Sequence, residues 1–176
     1  HLPAAMRFTA GGVATVRLGA FADVGIPYTG SAWDQGVKLG SEWSVQVWIK
    51  LPLASTSVRH TLLGGFLQSA VSVNEDETHI GSYCQASAMN ATAVFRPAVA
   101  LNSANGTLTG WHHLTVVGAT GGQSFYLDGA LKGTTPTQCT RDLLCIGNAC
   151  EGDASWAGDV SELVLYDSAA ISAEVI

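Results

Sequence analysis

Between residues 111 and 167 the chain has three pieces that fit an antiparallel sheet and little else. Trp-His-His-Leu-Thr-Val-Val (111–117) and Trp-Ala-Gly-Asp-Val-Ser-Glu-Leu-Val-Leu-Tyr-Asp (156–167) mix Val, Leu, Thr and Tyr as strands do, and neither has helical spacing. Between them lies Gln-Ser-Phe-Tyr-Leu-Asp-Gly-Ala-Leu-Lys-Gly (123–133). There Asp128-Gly129 sits between short apolar-aromatic runs. It supplies the two positive-φ positions of a tight type I′ turn, the strongest short-range hairpin signal a sequence offers. This stretch settles a β fold and leaves function open.

The rest of the chain agrees with it. Residues 43–50 alternate most clearly: Trp43, Val45, Val47 and Ile49 fall on one face, Ser44, Gln46, Trp48 and Lys50 on the other. The first face is expected to be core. The second sets polar groups around one large aromatic, which either packs beneath a loop or faces a ligand. Met6–Thr9 and Val13–Leu18 are expected to form a hairpin about Gly11-Gly12. Residues 19–41, with Pro27, Gly30, Gly36 and Gly40, read as a long connection of the kind that is functional or covers a sheet edge. Two short strands are predicted around Gly64-Gly65, and the acidic run Asn74–His79 as an exposed turn between strands. Thr92–Phe95 and Val99–Leu101 are predicted as two separate strands, Leu143–Gly147 as the strand after the hairpin, and Gly147–Asp153 as a tight loop.

At 176 residues the chain is read as one domain, 1–176, large enough to bury a core without metals or staples. Charged residues are 12% of it, about half the ~25% usual in soluble domains. Net charge is −6, with no Lys/Arg cluster. Nucleic acid and anionic membranes are therefore poor partners, because neither counterion release nor surface attraction has a basic patch to act through. No apolar run approaches the ~18 residues of a membrane span. The sequence starts at His1 without a charged-then-apolar leader, so any signal peptide is expected to have been removed already.

Four cysteines, Cys84, Cys139, Cys145 and Cys150, allow three pairings. Their spacing fits no C-x-x-C metal site; two disulfides in an oxidising compartment are the expected use, with reduced buried thiols the alternative. Asn90-Ala91-Thr92 and Asn105-Gly106-Thr107 are N-glycosylation sequons in loop-like surroundings. Together these features predict a secreted or cell-surface protein.

The order Trp-His-His-Leu-Thr-Val-Val, a hairpin closed by Tyr-Leu-Asp-Gly (126–129), Leu-Cys-Ile-Gly-Asn (144–148) and Trp-Ala-Gly-Asp-Val-Ser-Glu (156–162) resembles laminin G-like and pentraxin-like domains of the concanavalin A-like lectin/glucanase superfamily. The likeness extends to Met6–Leu18, to Glu42–Lys50 and to the tail 168–176, expected as a closing turn. It implies an all-β fold, two antiparallel sheets packed as a jelly roll, and an extracellular domain that binds glycan or protein on its concave sheet or its end loops. Trp33, Asp34, Gln46 and Trp48 are the candidate ligand residues, since aromatic rings stack on sugars while amides and carboxylates fix hydroxyls.

The resemblance to pentraxins also implies calcium, the metal suited to loop oxygens, with Asp76, Glu77, Glu151 and Asp153 as candidate ligands. Where pentraxins carry a Glu-Gln-Asp run, this chain has Asn148-Ala149-Cys150-Glu151, so the ligand-for-ligand match fails. A glycoside hydrolase needs two carboxylates flanking one bond. The glucanase pattern E-x-D-x-x-E is absent, and no G-x-S-x-G or H-E-x-x-H occurs. His112-His113 reads as structural. The expectation is a non-enzymatic recognition module for a glycan or an extracellular protein. A self-associating assembly domain of a larger cell-surface or filament protein is the alternative, and a hydrolase or lyase is disfavoured.

Overall fold

The computed structural model describes residues 6–7, 16–17, 37–38, 41–55, 58–64, 68–85, 93–103, 106–139, 142–143, 145–147 and 156–166. In chain order its strands are β1 (Met6–Arg7), β2 (Val16–Arg17), β3 (Val37–Lys38), β4 (Trp43–Leu51), β5 (His60–Gly64), β6 (Ser69–Val73), β7 (His79–Gln85) and β8 (Ala93–Ala100). They continue with β9 (Asn102–Ser103), β10 (Gly106–Thr107), β11 (Gly110–Ala119), β12 (Gly122–Leu127), β13 (Ala130–Thr135), β14 (Asp142–Leu143), β15 (Cys145–Ile146) and β16 (Asp159–Tyr166). Two six-stranded sheets carry the fold, one ordered β1-β16-β4-β11-β12-β13 and the other β2-β15-β5-β6-β7-β8. The small pairs β9–β10 and β3–β14 complete the described strands.

β4 shows why the two layers face one another. Trp43, Val45, Val47 and Ile49 are fully buried, as the two-residue side-chain repeat requires of one face. Leu114, Val116, Phe125, Leu127 and Val160 extend this apolar surface along the first sheet. Leu62, Val71, Val73, Ile80 and Val99 supply the facing surface on the second. Burying each such side chain contributes about 1.5–3 kcal/mol. The register therefore locks wherever one face has to be dry.

The Asp-Gly reversal forms as expected, with φ of 51° at Asp128 and 77° at Gly129. One turn later Phe125 pairs with Gly133 and Tyr126 with Leu131, which leaves Lys132 as the extra residue of a bulge. At Gly133 an added Cβ would lie 2.0 Å from the Ala98 carbonyl oxygen. The outer strand β13 of one sheet thus presses on the outer strand β8 of the other, and each covers an edge that would otherwise invite pairing.

Two polar ties also cross between the layers. The Gln123 amide donates to the Ala70 carbonyl at 3.1 Å and accepts from the Cys139 N–H at 2.9 Å. Beside it Cys84 and Cys139 form a disulfide across a sequence separation of 55. Of the three pairings the sequence allows, only one contains this bond, and it joins Cys145 to Cys150. The side chains of Cys145 and Cys150 lie outside the described residues.

Several expectations are corrected. The first two strands are not a hairpin: Met6–Arg7 pairs with Val160 and Asp159, whereas Val16–Arg17 pairs with Ile146 and Cys145. Each pairs with an open edge of a different sheet, satisfying hydrogen bonds there rather than on its neighbour. The two strands predicted within 92–101 are one, β8, running through Pro97. Proline is tolerated because β8 is an edge strand and its register shifts at that point. The single strand predicted over 143–147 is two, β14 on β3 and β15 between β2 and β5. β3 itself falls inside the predicted long connection 19–41. The tail 168–176 and most of the predicted loop 147–153 lie outside the described residues.

Gly133→Ala is expected to cost about 1–3 kcal/mol, because the added methyl must displace backbone of the opposite sheet; urea unfolding measures it. Replacing Cys84 and Cys139 together by Ala is expected to lower stability by about 2–4 kcal/mol, read as a shift of the urea midpoint.

Candidate functional site

The outward face of β4 continues onto its neighbours through the strand register. Trp48 stands between Ser161 of β16 and His113 of β11, and Gln46 between Val164 and Thr115. Thr115 in turn pairs with Tyr126, and Tyr126 with Leu131. Directly paired residues share a face, so these side chains form two adjoining rows on the side of the sheet turned from the core. The half-buried Trp48 indole meets the His113 ring at 5.1 Å between centroids, tilted by 45°. The Tyr166 hydroxyl donates to Gln46 Oε1 at 3.3 Å. The hydroxyls of Thr115 and Ser161 are buried and have no hydrogen-bond partner among the described residues. Lys50 Nζ and Asp159 Oδ2 pair at 3.4 Å along the border of the rows. Of the five large apolar side chains exposed among the described residues, three lie on this face: Leu131, Val164 and Tyr166.

A concavity of about 230 Å³ opens at one end of the sandwich. Leu51 and Leu53 from the end of β4 and Leu101 and Leu108 around the β9–β10 pair give it apolar walls, and Asp76, Glu77, Asn102 and Thr107 bring polar groups to it. The acidic turn above it is a solvated turn only in part. Glu75 Oε1 accepts the Tyr83 hydroxyl at 2.7 Å. Burial, and then that bond, push the Tyr83 phenol well above its ordinary value, and Arg59 lies 4.5 Å from the Tyr83 ring centroid. Asp76 Oδ1 accepts from the Thr78 hydroxyl at 2.5 Å, from the Thr78 N–H at 3.2 Å and from the Asn74 amide. Chiefly the Thr78 hydroxyl holds the Asp76 carboxyl below its usual range.

Glu77 differs from both. Its backbone is left-handed, at φ 57°, and Oε1 is buried with no hydrogen-bond partner. The fully buried His60 offers Nε2 at 3.6 Å, beyond hydrogen-bond range. The Ala157 N–H donates to His60 Nδ1 at 3.3 Å, which assigns the ring proton to Nε2, on the Glu77 side.

The residues singled out in the sequence separate accordingly. Gln46 and Trp48 share the sheet face, and Asp76 and Glu77 share the end pocket. Trp33, Asp34, Glu151, Asp153, Asn90 and Asn105 lie outside the described residues. Among the described residues no group of three or more His, Cys, Asp or Glu is placed to hold a metal ion. His113, Thr115, Ser161 and Tyr166 were not singled out as site residues. Carrying the β4 alternation across to paired strands would have found them, but that needs the register, which a single sequence does not supply.

His112 is structural, as expected. Its Nδ1 lies 2.8 Å from Asp128 Oδ2 and its Nε2 faces the Thr109 carbonyl at 3.2 Å. Asp128 Oδ1 also accepts the His113 N–H at 2.9 Å, and the His113 carbonyl accepts the Asp128 N–H at 2.8 Å. The turn that closes β12 and β13 is thereby fastened to β11.

A laminin G-type family model, described as the concanavalin A-like lectin/glucanases superfamily, matches residues 27–176. The chain belongs to that superfamily. Among solved structures, this laminin G-like chain is similar to a Trypanosoma rangeli sialidase in complex with 2,3-difluorosialic acid, at 16% identity and TM-score 0.50, covering 76% of this chain and 22% of that one. It is also similar to the receptor-binding domain of botulinum neurotoxin C/D mosaic serotype, at 15% identity and TM-score 0.53, covering 78% of this chain and 35% of that one. The likeness at such identities is one of fold, and the chain spans only a minor part of either protein. No match is found among curated proteins. Laminin G-like domains are typically extracellular, and the Cys84–Cys139 bond fits an oxidising compartment. No helix among the described residues is long and apolar enough to cross a membrane.

The Asp128 clamp has a pH signature. Partial burial raises its carboxyl, but the His112 hydrogen bond, the His113 N–H and nearby positive charge outweigh this, and the net shift is downward from 3.8. A carboxyl lowered on folding adds stability above its unfolded value and loses it as pH falls through the folded one. Asp128→Asn keeps a residue that favours the type I′ turn. It is expected to lose a few tenths to about 1 kcal/mol at neutral pH, and the gap to the parent protein should close below pH 3.8. Urea titrations at both pH values measure it.

Proposed function

We propose that this laminin G-like domain is a non-catalytic extracellular recognition module that binds a glycan on the outward face of its first sheet. The observation that carries this reading is the half-buried Trp48 indole paired with the His113 ring on the outward face. A sugar ring suits it: its apolar face stacks on an aromatic ring, and its hydroxyls both donate to and accept from polar neighbours. The Gln46 amide, two residues from Trp48 on the same strand face, adds a polar group that fixes orientation. Binding without cleavage is supported by Asp159, the acid bordering these rows, being tied to Lys50. Glycosidic hydrolysis calls for two carboxyl groups about 5–5.5 Å or 6.5–9.5 Å apart across one bond. Secretion is supported by the disulfide and by the sequons at Asn90 and Asn105. Calcium at the acidic turn is a separable question that the same experiment answers.

A second reading is favoured by Leu131, Val164 and Tyr166, exposed on this same face. Their apolar area suits a protein partner or a second copy of the chain. Size-exclusion chromatography across a concentration series distinguishes the two, since self-association without any glycan supports the assembly role.

A glycan array run with calcium and with chelator tests the first reading. The parent protein is expected to retain at least one glycan class. Trp48→Ala should weaken that binding roughly tenfold, in line with the loss of a ring contact. An empty array under both conditions, or full binding by the Trp48→Ala protein, would count against it.

A further inference from the structure

We propose that the pocket at the end of the sandwich is a second binding site, selective for a primary ammonium group on a short alkyl chain, either a free amine or a lysine side chain. The sheet-face reading plays no part in this inference, because the pocket draws on the opposite side of β4 and on different loops.

The walls fix half of the ligand's chemistry. Leu51, Leu53, Leu101 and Leu108 present hydrocarbon to a space of about 230 Å³, smaller than the roughly 300–1,000 Å³ of sites for larger ligands. A short unbranched alkyl chain removes this surface from water without having to satisfy polar groups on the walls. The polar side fixes the other half. Asp76 and Glu77 both line the pocket, and among the described residues no lysine or arginine does. Anions are repelled. Within the acidic turn the other carboxylates are already engaged, Glu75 by Tyr83 and Asp76 by Thr78 and Asn74. Glu77 is held less tightly: its Oε1 faces His60 Nε2 at 3.6 Å, and its side chain stays 25% exposed beside the pocket.

The part-exposed Glu77 carboxylate selects for a donor with a charge. An alcohol brings one O–H, whereas an ammonium brings three N–H donors and a positive charge. The Glu77 carboxylate, with the Asn102 and Thr107 side chains also at the pocket, offers acceptors for all three. A calcium ion is served less well, since it asks for six to eight oxygen ligands and the pocket is walled largely by leucine. Arginine's wide planar fork suits paired acceptors in one plane better than a narrow apolar slot. His60, behind Glu77, positions the carboxylate: its Nδ1 is occupied by the Ala157 N–H, so the protonated Nε2 faces Oε1. The Thr78 hydroxyl, which holds the Asp76 carboxyl below its usual range, favours the charged form at the pocket.

The test is an NMR titration of the full chain with hexylammonium, 1-hexanol and hexanoate, and separately with Nα-acetyl-lysine N-methylamide. Hexylammonium is expected to perturb Leu51, Leu101 and Leu108 resonances with an affinity at least tenfold above that of hexanol, and hexanoate should not bind. Glu77→Gln should reduce hexylammonium affinity about tenfold. Asn102→Trp, at an exposed position of the pocket lining, should block the pocket. Binding of the lysine derivative assigns a protein partner's side chain as a source, and its failure beside hexylammonium binding assigns a free amine. Equal affinity for amine and alcohol, unchanged binding in both variants, or displacement of hexylammonium by equimolar calcium would each overturn the proposal.

Discussion

The arrangement rests on how β4 is held between β16 and β11. Its inward residues, Trp43 to Ile49, are completely buried against the second sheet, and that burial admits one register. A slip by a single residue would turn Trp48 and Gln46 into the core and expose the valines. The same constraint aligns Ser161 and His113 with Trp48, and Thr115 with Gln46. The outward face is therefore positioned by apolar packing on its reverse side. None of its own polar groups needs to supply the energy that holds it flat.

Apolar burial is strong but non-directional, and something else must fix how the layers meet. Directional contacts do so at a few points. Gln123 reaches from β12 to the Ala70 carbonyl in the second sheet and also holds the Cys139 N–H, next to the Cys84–Cys139 bond. The clamp of Asp128 on His112 and His113 ties the tightest turn to the strand beside it. Gly133 against Ala98 closes the edge between sheets. Each is a local device that would be worth little alone; together they select one packing of two generic sheets.

Local signals made the fold legible in the sequence. The alternation of 43–50 and the Asp128-Gly129 pair each act within a few residues, and both led to the observed strand and turn. Pairings set by distant edges were not legible. Nothing in Met6-Arg7 or Val16-Arg17 says that one joins β16 and the other β15, because each choice depends on which edge the finished sheets leave open. The single strand over 93–100 was illegible in the same way, since Pro97 is tolerated within β8 because β8 lies at an edge, a fact of topology. The acidic run was read correctly as a turn. That Glu77, and not Glu75 or Asp76, would carry the unpartnered oxygen depends on Tyr83, Thr78 and His60 arriving from their own strands. Of the binding face, Trp48 and Gln46 were visible through alternation, while Thr115 and Ser161 entered only through the register.

The scarcity of charge separates the two surfaces. With 12% charged residues, the protein has little field with which to steer a partner from a distance. On the sheet face the charge at the border is internally neutralised as Lys50–Asp159, so discrimination there has to come from shape and from hydroxyl pairing at contact distance. Such a surface suits a neutral ligand, because a charged one would lose hydration and gain no counter-charge. The end pocket is the opposite case, holding two carboxylates over leucine walls with no lysine or arginine among the described residues that line it. Leu51 and Trp48 belong to one strand and point to opposite sides of it, so the chemistry that suits one surface is excluded from the other by the same alternation that builds the core.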